Sequence, residues 1–593
     1  MKENKIIKKK EKRKADSPSV GHDRQRPVIY QTFPRIFTNT TSTNAFAGTL
    51  EENGSGKLDD YTPRLLRSLK ALGVNCIWLT GVIEHATKSD FTAYGIPLDN
   101  PNVVKGEAGS PYAIKDYYDI DPAIATDPAR RMEEFEKCVK RIHKEGMKVL
   151  IDFVPNHTAR QYHSDSAPKG IEDFGVSDDR TLYFGHNNNY YYIPNQQFSP
   201  DFDLGAEGEV PYVEFPAKAT GNDCFNAFCG RNDWYETVKL NYGHDYGDNS
   251  DHFDPVPDTW LKMLHILRFW AAKGVDGFRC DMVFMVPLPF WHWAIPQVKR
   301  DYPDTVFIGE IYDVNLYRPF LDYGCFDYLY DKVNLYDKLV GINRWNYSAA
   351  QLTSAWQTVD GIGNRMLNFL ENHDEVRYGS TEFAGSPTRV VPDLVVTSMI
   401  SCGPVMIYYG QELGESAKEN EGFAGYNNRS TIFDYWSYDT MRRWYDRGKC
   451  SVAKLNAHEK WLRSLYSRVL NMINERAALR EGSFFDLMYA NLGHEGFDPH
   501  RCFCFLRYSD DEALLIIVNF GDVETDLTLR IPELAFDMAK LREEKQTVHD
   551  LLWDKPHVLD ISRTEPLSIR ISPRDALILP LHVGAPEKND ESL

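Results

Sequence analysis

Acidic side chains recur in this chain at the ends of short apolar runs, in combinations that suit bond cleavage. Gly277-Phe-Arg279-Cys-Asp281 puts an arginine and an aspartate two residues apart, on one face of a strand-like segment. Phe307-Ile-Gly-Glu310 ends on a glutamate, and Asn372-His373-Asp374 closes another apolar run. Asp152-Phe-Val-Pro-Asn156-His157 adds a further aspartate and histidine. A single Arg279–Asp281 pair reads equally well as an ion pair sealing the end of a barrel. Several carboxylates, two histidines and one arginine aimed at one place do not serve stability, because the acids repel one another. Two carboxylates about 5–5.5 Å apart are what a retaining glycosidase places across the bond that it cleaves. Neighbouring strands lie about 4.8 Å apart, so Asp281 and Glu310 at adjacent strand ends fall in that range. Arg279 is expected to keep Asp281 ionised. Glu310, with other acids nearby and less cationic support, is expected to have the raised pKa of a general acid/base.

Strands must carry these groups, and the pattern around them alternates strand with helix. Val28–Phe33, Val74–Leu79, Val149–Val154, Gly277–Asp281, Val306–Glu310, Phe326–Tyr330, Met366–Leu370 and Val405–Tyr409 read as short buried strands. Amphipathic runs separate them: Trp260, Leu264, Leu267 and Ala271 recur at helical spacing and stop at Gly274. Eight such units predict an α/β fold, a (β/α)8 barrel whose strand ends meet at one mouth. From 159 to 253 the rhythm stops in a Tyr-, Asn-, Asp- and Gly-rich stretch, expected to be an inserted domain after strand three. After a helix over Trp461–Leu479, residues 483–585 read as a C-terminal antiparallel β-sandwich. The expected divisions are thus a basic tail at 1–26, barrel at 27–158 and 254–482, the insert, the sandwich, and a tail at 586–593.

Composition excludes several classes. The 593 residues carry a net charge of −19, with the basic run Lys8–Lys14 outside the expected fold, so the body offers no nucleic-acid surface. No apolar run spans a bilayer, and no apolar stretch follows the N-terminal charges as in a secretory leader. A cytoplasmic protein with reduced thiols is the expectation; the 10 cysteines show no zinc spacing. The 12 Trp, 33 Tyr and 32 Phe suit carbohydrate recognition as well as a large core. Nothing in the sequence fixes the oligomeric state.

The four acidic stretches, in this order and at barrel spacing, resemble the signature regions of the α-amylase superfamily of glycoside hydrolases. Gly403-Pro404 through Tyr408-Tyr409-Gly410-Gln411-Glu412 is similar to its strand-eight signature, and the likeness covers about residues 27–585. The resemblance implies Asp281 as nucleophile, Glu310 as acid/base and Asp374 as the carboxylate that holds sugar hydroxyls. It further implies substrate contacts from Tyr112, His157, Arg279, His373 and, as a supporting arginine, Arg377. Asn156 matches a position that often ligates calcium, so a structural calcium is one expectation; no cofactor is required for the chemistry. Phe284 and Met285 stand where many starch-cleaving relatives carry Lys-His, and Val238-Lys239-Leu240-Asn241 is closer to the neopullulanase-like element. The expected activity is hydrolysis of α-glucosidic bonds in malto-oligosaccharides through a covalent glycosyl-enzyme intermediate. Transfer or isomerisation through the same intermediate, and a non-catalytic barrel subunit, are the alternatives.

Overall fold

The computed structural model describes residues 25–205 and 210–584. Eight parallel strands close a barrel: β1 (Val28–Thr32), β2 (Cys76–Leu79), β3 (Lys148–Phe153), β4 (Gly277–Cys280), β5 (Val306–Gly309), β6 (Tyr328–Tyr330), β7 (Met366–Phe369) and β8 (Val405–Tyr408). They follow one another round the barrel in chain order, with β8 returning to β1. All but Lys148, Val306 and Tyr328 are buried, which is why most of these strands read as continuous apolar runs rather than alternating ones. Helices fill each crossover; the one before β4 spans Asp258–Ala272 and is stopped by Gly274, at φ +92°.

Two excursions leave the barrel on the side of the strand C-termini. Beyond β2 the chain makes a hairpin, Ile83–His85 against Ile114–Ile120. The second of these segments is a fully buried seven-residue strand beyond the eight expected ones, with Lys115, Asp116 and Asp119 breaking its apolar pattern. Beyond β3 the insert folds as short ribbons, His157–Ala159 against Thr237–Lys239 and Tyr192–Ile193 against Ala217–Lys218. It contains no helix among the described residues, and its Ile193, Phe198 and Tyr235 form a small core together with Val103 from the excursion beyond β2. Tyr190, Tyr191 and Tyr192 are buried as well.

The expected C-terminal β-domain is a four-stranded antiparallel sheet of Ser483–Asp486, Cys502–Tyr508, Ala513–Asn519 and Asp575–Leu581. Two ribbons accompany it, Thr525–Leu529 with Leu567–Ile571 and Glu544–His549 with Pro556–Ile561. The outer face of the last ribbon mixes polar Lys545, Thr547 and Asp560 with exposed Pro556 and Val558. The expected single helix at the end of the barrel is two, Ala457–Glu475 and Ala477–Arg480, broken at Arg476.

Most of the expected basic tail lies outside the described residues, but Arg26 does not behave as tail. It is buried, its Nε donating to the Gly403 carbonyl and its backbone N–H to Asn474 Oδ1 at 2.8 Å. None of the 10 cysteines forms a disulfide. No helix among the described residues is long and apolar enough to cross a membrane.

Candidate active site

The register of β4 and β5 decides the geometry. Cys280 is aligned with Gly309, so the next residues on each strand, Asp281 and Glu310, leave the barrel side by side. Gly309 lets this happen at close range: a Cβ there would stand 2.7 Å from the Leu329 side chain. Directly after Asp281, Met282 takes the left-handed conformation at φ +44°. A non-glycine residue held so carries strain of about 1–3 kcal/mol. Here the strained turn aims the Met282 N–H back at Glu310 Oε2, 2.9 Å away. Tyr312 O–H donates to the other oxygen, Oε1, at 2.7 Å.

Arg279, only 1% exposed, lies beneath these acids and serves all of them. Its Nη1 donates to Asp281 Oδ1 at 2.7 Å. Its Nη2 stands 2.6 Å from Glu310 Oε1, an ion-pair contact without hydrogen-bond alignment, and 4.0 Å from Asp374 Oδ2. Asp152 Oδ1 is 3.5 Å from Nη1. The expectation that Glu310 has less cationic support than Asp281 is therefore corrected: both share the same guanidinium. Burial and then the Glu310 carboxylate push the Asp281 carboxyl well up, against the pull of Arg279. The expectation that Arg279 keeps the Asp281 carboxyl ionised is thus corrected: burial outweighs the guanidinium.

Asp374 completes the set from the loop after β7. Burial raises its carboxyl, but His373, Arg279 and Arg429 outweigh that and bring it down to about 2. Gln31 Nε2 lies 2.9 Å from His373 Nδ1, and His373 Nε2 lies 3.0 Å from Asp374 Oδ2. Tyr112 stacks on the His373 ring at 5.1 Å, and its hydroxyl donates to Asp152 Oδ1 at 3.2 Å. His157 is neutral; burial and Lys239 push its imidazole down to about 3. The structure thus brings Tyr112, His157, Asp281, Glu310 and Asp374 onto one cavity of about 530 Å³, with Arg279 and His373 directly behind its wall.

Two predicted residues are placed elsewhere. Arg377 is fully buried behind the mouth, its Nη1 donating to Glu371 Oε2 at 2.8 Å and to the Tyr409 carbonyl at 2.9 Å, its Nε to Ser430 Oγ at 2.8 Å. It does not line the cavity, so the expected substrate contact is corrected to a packing role. Asn156 does not fit a calcium ligand. Lys239 Nζ donates to its Oδ1 at 2.6 Å and pairs with Asp223 Oδ1 at 2.7 Å. An ammonium thus takes the oxygen that a metal would need, while the Asn156 amide faces the Gly221 carbonyl and His157 Nδ1.

Several lining residues had no clear sequence signal. Lys105 and Glu236 close one end of the cavity as an ion pair of 2.8 Å, joining two distant loops. Lys332, paired with Glu375 at 3.5 Å, and Arg429 line the other side. Tyr312 was readable in principle, since it shares the face of Glu310 two residues on.

An eight-stranded parallel barrel whose mouth holds three carboxylates round one buried guanidinium is the architecture of a barrel glycosidase. Residues 31–489 match the model of the alpha amylase catalytic domain, and the chain belongs to the alpha-amylase family of glycoside hydrolases. It is similar to the cyclomaltodextrinase of Thermoanaerobacter pseudethanolicus, 22% identical over 89% of this chain and 76% of that protein. It is also similar to the amino acid transporter heavy chain SLC3A1 of Homo sapiens, 23% identical over 84% and 70%. Among solved structures, the α-amylase of Geobacillus thermoleovorans in complex with acarbose superposes with a TM-score of 0.62 at 18% identity, over 95% of this chain and all of that one.

Proposed function

We propose that the protein is a retaining hydrolase of α-glucosidic bonds in malto-oligosaccharides, working through a covalent glycosyl-enzyme intermediate. In this reading Asp281 attacks the anomeric carbon while Glu310 protonates the departing oxygen. Glu310 then takes a proton from a water whose oxygen attacks the anomeric carbon, which breaks the bond to Asp281 and releases the sugar. Asp374, with His373 and His157, holds the hydroxyls of the sugar in the cleaved position, and Tyr112 stacks on its face. The observation that carries the proposal is the shared guanidinium: Arg279 contacts Asp281 at 2.7 Å and Glu310 at 2.6 Å, on adjacent strands at the cavity wall. One cation between two carboxylates suits a pair of which one bonds to the sugar while the other gives up and regains a proton during turnover. The transporter heavy chain among the relatives keeps a non-catalytic reading in view, and the complete carboxylate set argues against it.

The test is chemical trapping. A fluorinated glucosyl fluoride, which forms the intermediate faster than water removes it, should label the protein once, on the peptide containing Asp281. Hydrolysis of maltotriose should release product with the α-anomer in excess before mutarotation. Initial release of the β-anomer would replace the retaining mechanism by an inverting one. Absence of both labelling and hydrolysis in the folded protein would favour the non-catalytic reading.

A further inference from the structure

Away from the mouth, where the C-terminal sheet meets the barrel, two buried guanidiniums have no acid to match them. Arg26, just before β1, and Arg507, on the Cys502–Tyr508 strand, are 3% and 2% exposed. Arg26 Nε donates to the Gly403 carbonyl and Nη1 to that of Leu479 at 3.4 Å, while Nη2 is sealed from water without a partner. Arg507 Nε donates to the Ala478 carbonyl at 3.2 Å. Its Nη2 reaches the Gly482 carbonyl at 2.7 Å and Cys402 Sγ at 2.6 Å, and Nη1 takes part in none of these bonds. The acidic groups nearest to the two side chains are the Cys402 thiol and the Tyr508 hydroxyl, not a carboxylate. Burial therefore prevails, bringing the Arg26 guanidinium down to about 9 and lowering that of Arg507. Both still carry their charge at neutral pH, and a buried charge without a counter-charge is costly.

Arg507 is also part of the wall of a cavity of about 410 Å³, set between β7, the helix Gln351–Thr358 and the C-terminal sheet. That size falls within the roughly 300–1,000 Å³ of small-molecule sites. Phe484, directly across from Arg507 in the sheet register, packs on Trp356 at 5.4 Å, and both rings line the cavity. Asn368 lines it from β7, and its Oδ1 is buried with no donor. The two acids on the wall do not answer Arg507. Asp331 accepts from Asn334 at 3.1 Å and from Tyr317 at 3.3 Å, Asp360 is exposed, and neither comes within 4.0 Å of the guanidinium. An oxyanion supplies the missing charge, the two rings suit the face of a sugar, and a sugar hydroxyl can donate to Asn368.

We propose that this cavity binds a small hydroxylated oxyanion of the sugar-phosphate class, with Arg507 as its anchor. It shares no lining residue with the active-site cavity. The two meet across one π-helical turn, Lys332–Tyr336, of which Lys332 lines the active-site cavity and Leu335 lines this one.

In a calorimetric titration the full-length protein should take up glucose 6-phosphate, and its Tm should rise with the concentration of that ligand. Glucose, which lacks the charge, should bind at least about tenfold more weakly, and equal binding would remove the oxyanion from the recognition. Arg507→Met should reduce the affinity for glucose 6-phosphate at least about tenfold. If Arg507→Met does not fold, Ser483→Glu, at an exposed position on the wall, sets a carboxylate beside the anion and should weaken binding at least about threefold. No uptake by the wild type at millimolar concentrations would overturn the site and leave the backbone carbonyls and the thiol as the partners of the two guanidiniums. Undiminished binding in the folded variant would also overturn it, placing the sugar phosphate elsewhere on the protein.

Discussion

Two buried arginines stand at the C-terminal end of this barrel and do opposite things. Arg377 meets one carboxylate, Glu371, and its remaining bonds go to a carbonyl and a hydroxyl, so the charge is matched one to one. Arg279 meets Asp281 and Glu310 closely and has Asp152 and Asp374 within 4.0 Å, so several negative charges share one positive charge. The first arrangement is a structural pair whose cost of burial is balanced. The second leaves an electrostatic surplus at a cavity wall, where a substrate and a moving proton can use it. Burial alone therefore does not mark a functional arginine; the ratio of acids to cations does.

The comparison breaks most sharply at the acids around Arg279. Asp281→Ala should lower kcat by about 10⁴-fold or more with the fold intact, because formation and breakdown of the intermediate both need this group. Glu310→Gln should cost about 10²–10⁴-fold on natural glucosides but far less in the first step with an activated aryl glucoside, whose leaving group needs little protonation. Equal losses on both substrates, with glycosylation shown to be rate-limiting, would remove Glu310 from the acid role.

Arg377 should respond in stability instead. Arg377→Met leaves Glu371 buried without its cation and should cost about 3–5 kcal/mol in urea unfolding. Adding Glu371→Leu should recover much of that loss, since an apolar pair of similar size replaces the ion pair. A single mutant as stable as the wild type would show that the matched pair contributes nothing.

A smaller effect separates the groups by pH. His157 is held neutral, its imidazole brought from the ordinary 6.5 to about 3 by burial and Lys239. Between those values the unfolded chain binds a proton that the folded chain refuses, so stability present above pH 6.5 is lost progressively down to about pH 3. At pH 4.5 the loss amounts to about 2–3 kcal/mol. His157→Gln should shrink the difference in unfolding free energy between pH 7 and pH 4.5 by that amount. An unchanged difference would mean that His157 is not the neutral buried group described.

The barrel and its acids were legible because local signals coincide there: a buried apolar run, then a charge, then a helix stop such as Gly274. Asp281, Glu310 and Asp374 were readable from those strand ends alone. What stayed hidden depends on partners distant in the chain. Lys239 reaches Asn156 across 83 positions and turns an expected metal ligand into an ammonium acceptor. Nothing near Arg377 announces that Glu371 will claim it rather than a sugar. The left-handed turn at Met282 was equally invisible, since tertiary packing imposes it on a residue that does not prefer it. Tyr190, Tyr191 and Tyr192 are all buried, and Tyr190 and Tyr192 join the same hydrophobic cluster as the barrel.

The smallest expected effect concerns substrate length, and it sharpens the same contrast between a charge-rich opening and matched pairs around it. At one end the cavity is closed by the Lys105–Glu236 pair, and Trp234, packed at 5.4 Å on His157, lines the wall beside it. Past the acids, Phe284 rests on Tyr312 at 6.1 Å, and the Met285 carbonyl accepts from Lys239 at 3.1 Å. Neither position offers a cation or a free donor to a long leaving chain. kcat/KM on maltotriose-sized oligosaccharides should therefore exceed that on soluble starch, compared per cleavable chain end. Trp234→Ala should reduce the oligosaccharide value by about tenfold or less, in line with the roughly 0.5–1.5 kcal/mol of an aromatic contact, and change the starch value little. A rapid fall in starch viscosity with few reducing ends released would instead show cutting within long chains. In that case the Lys105–Glu236 pair does not close the cavity to substrate, and the pair belongs with Arg377 and Glu371 as structure alone.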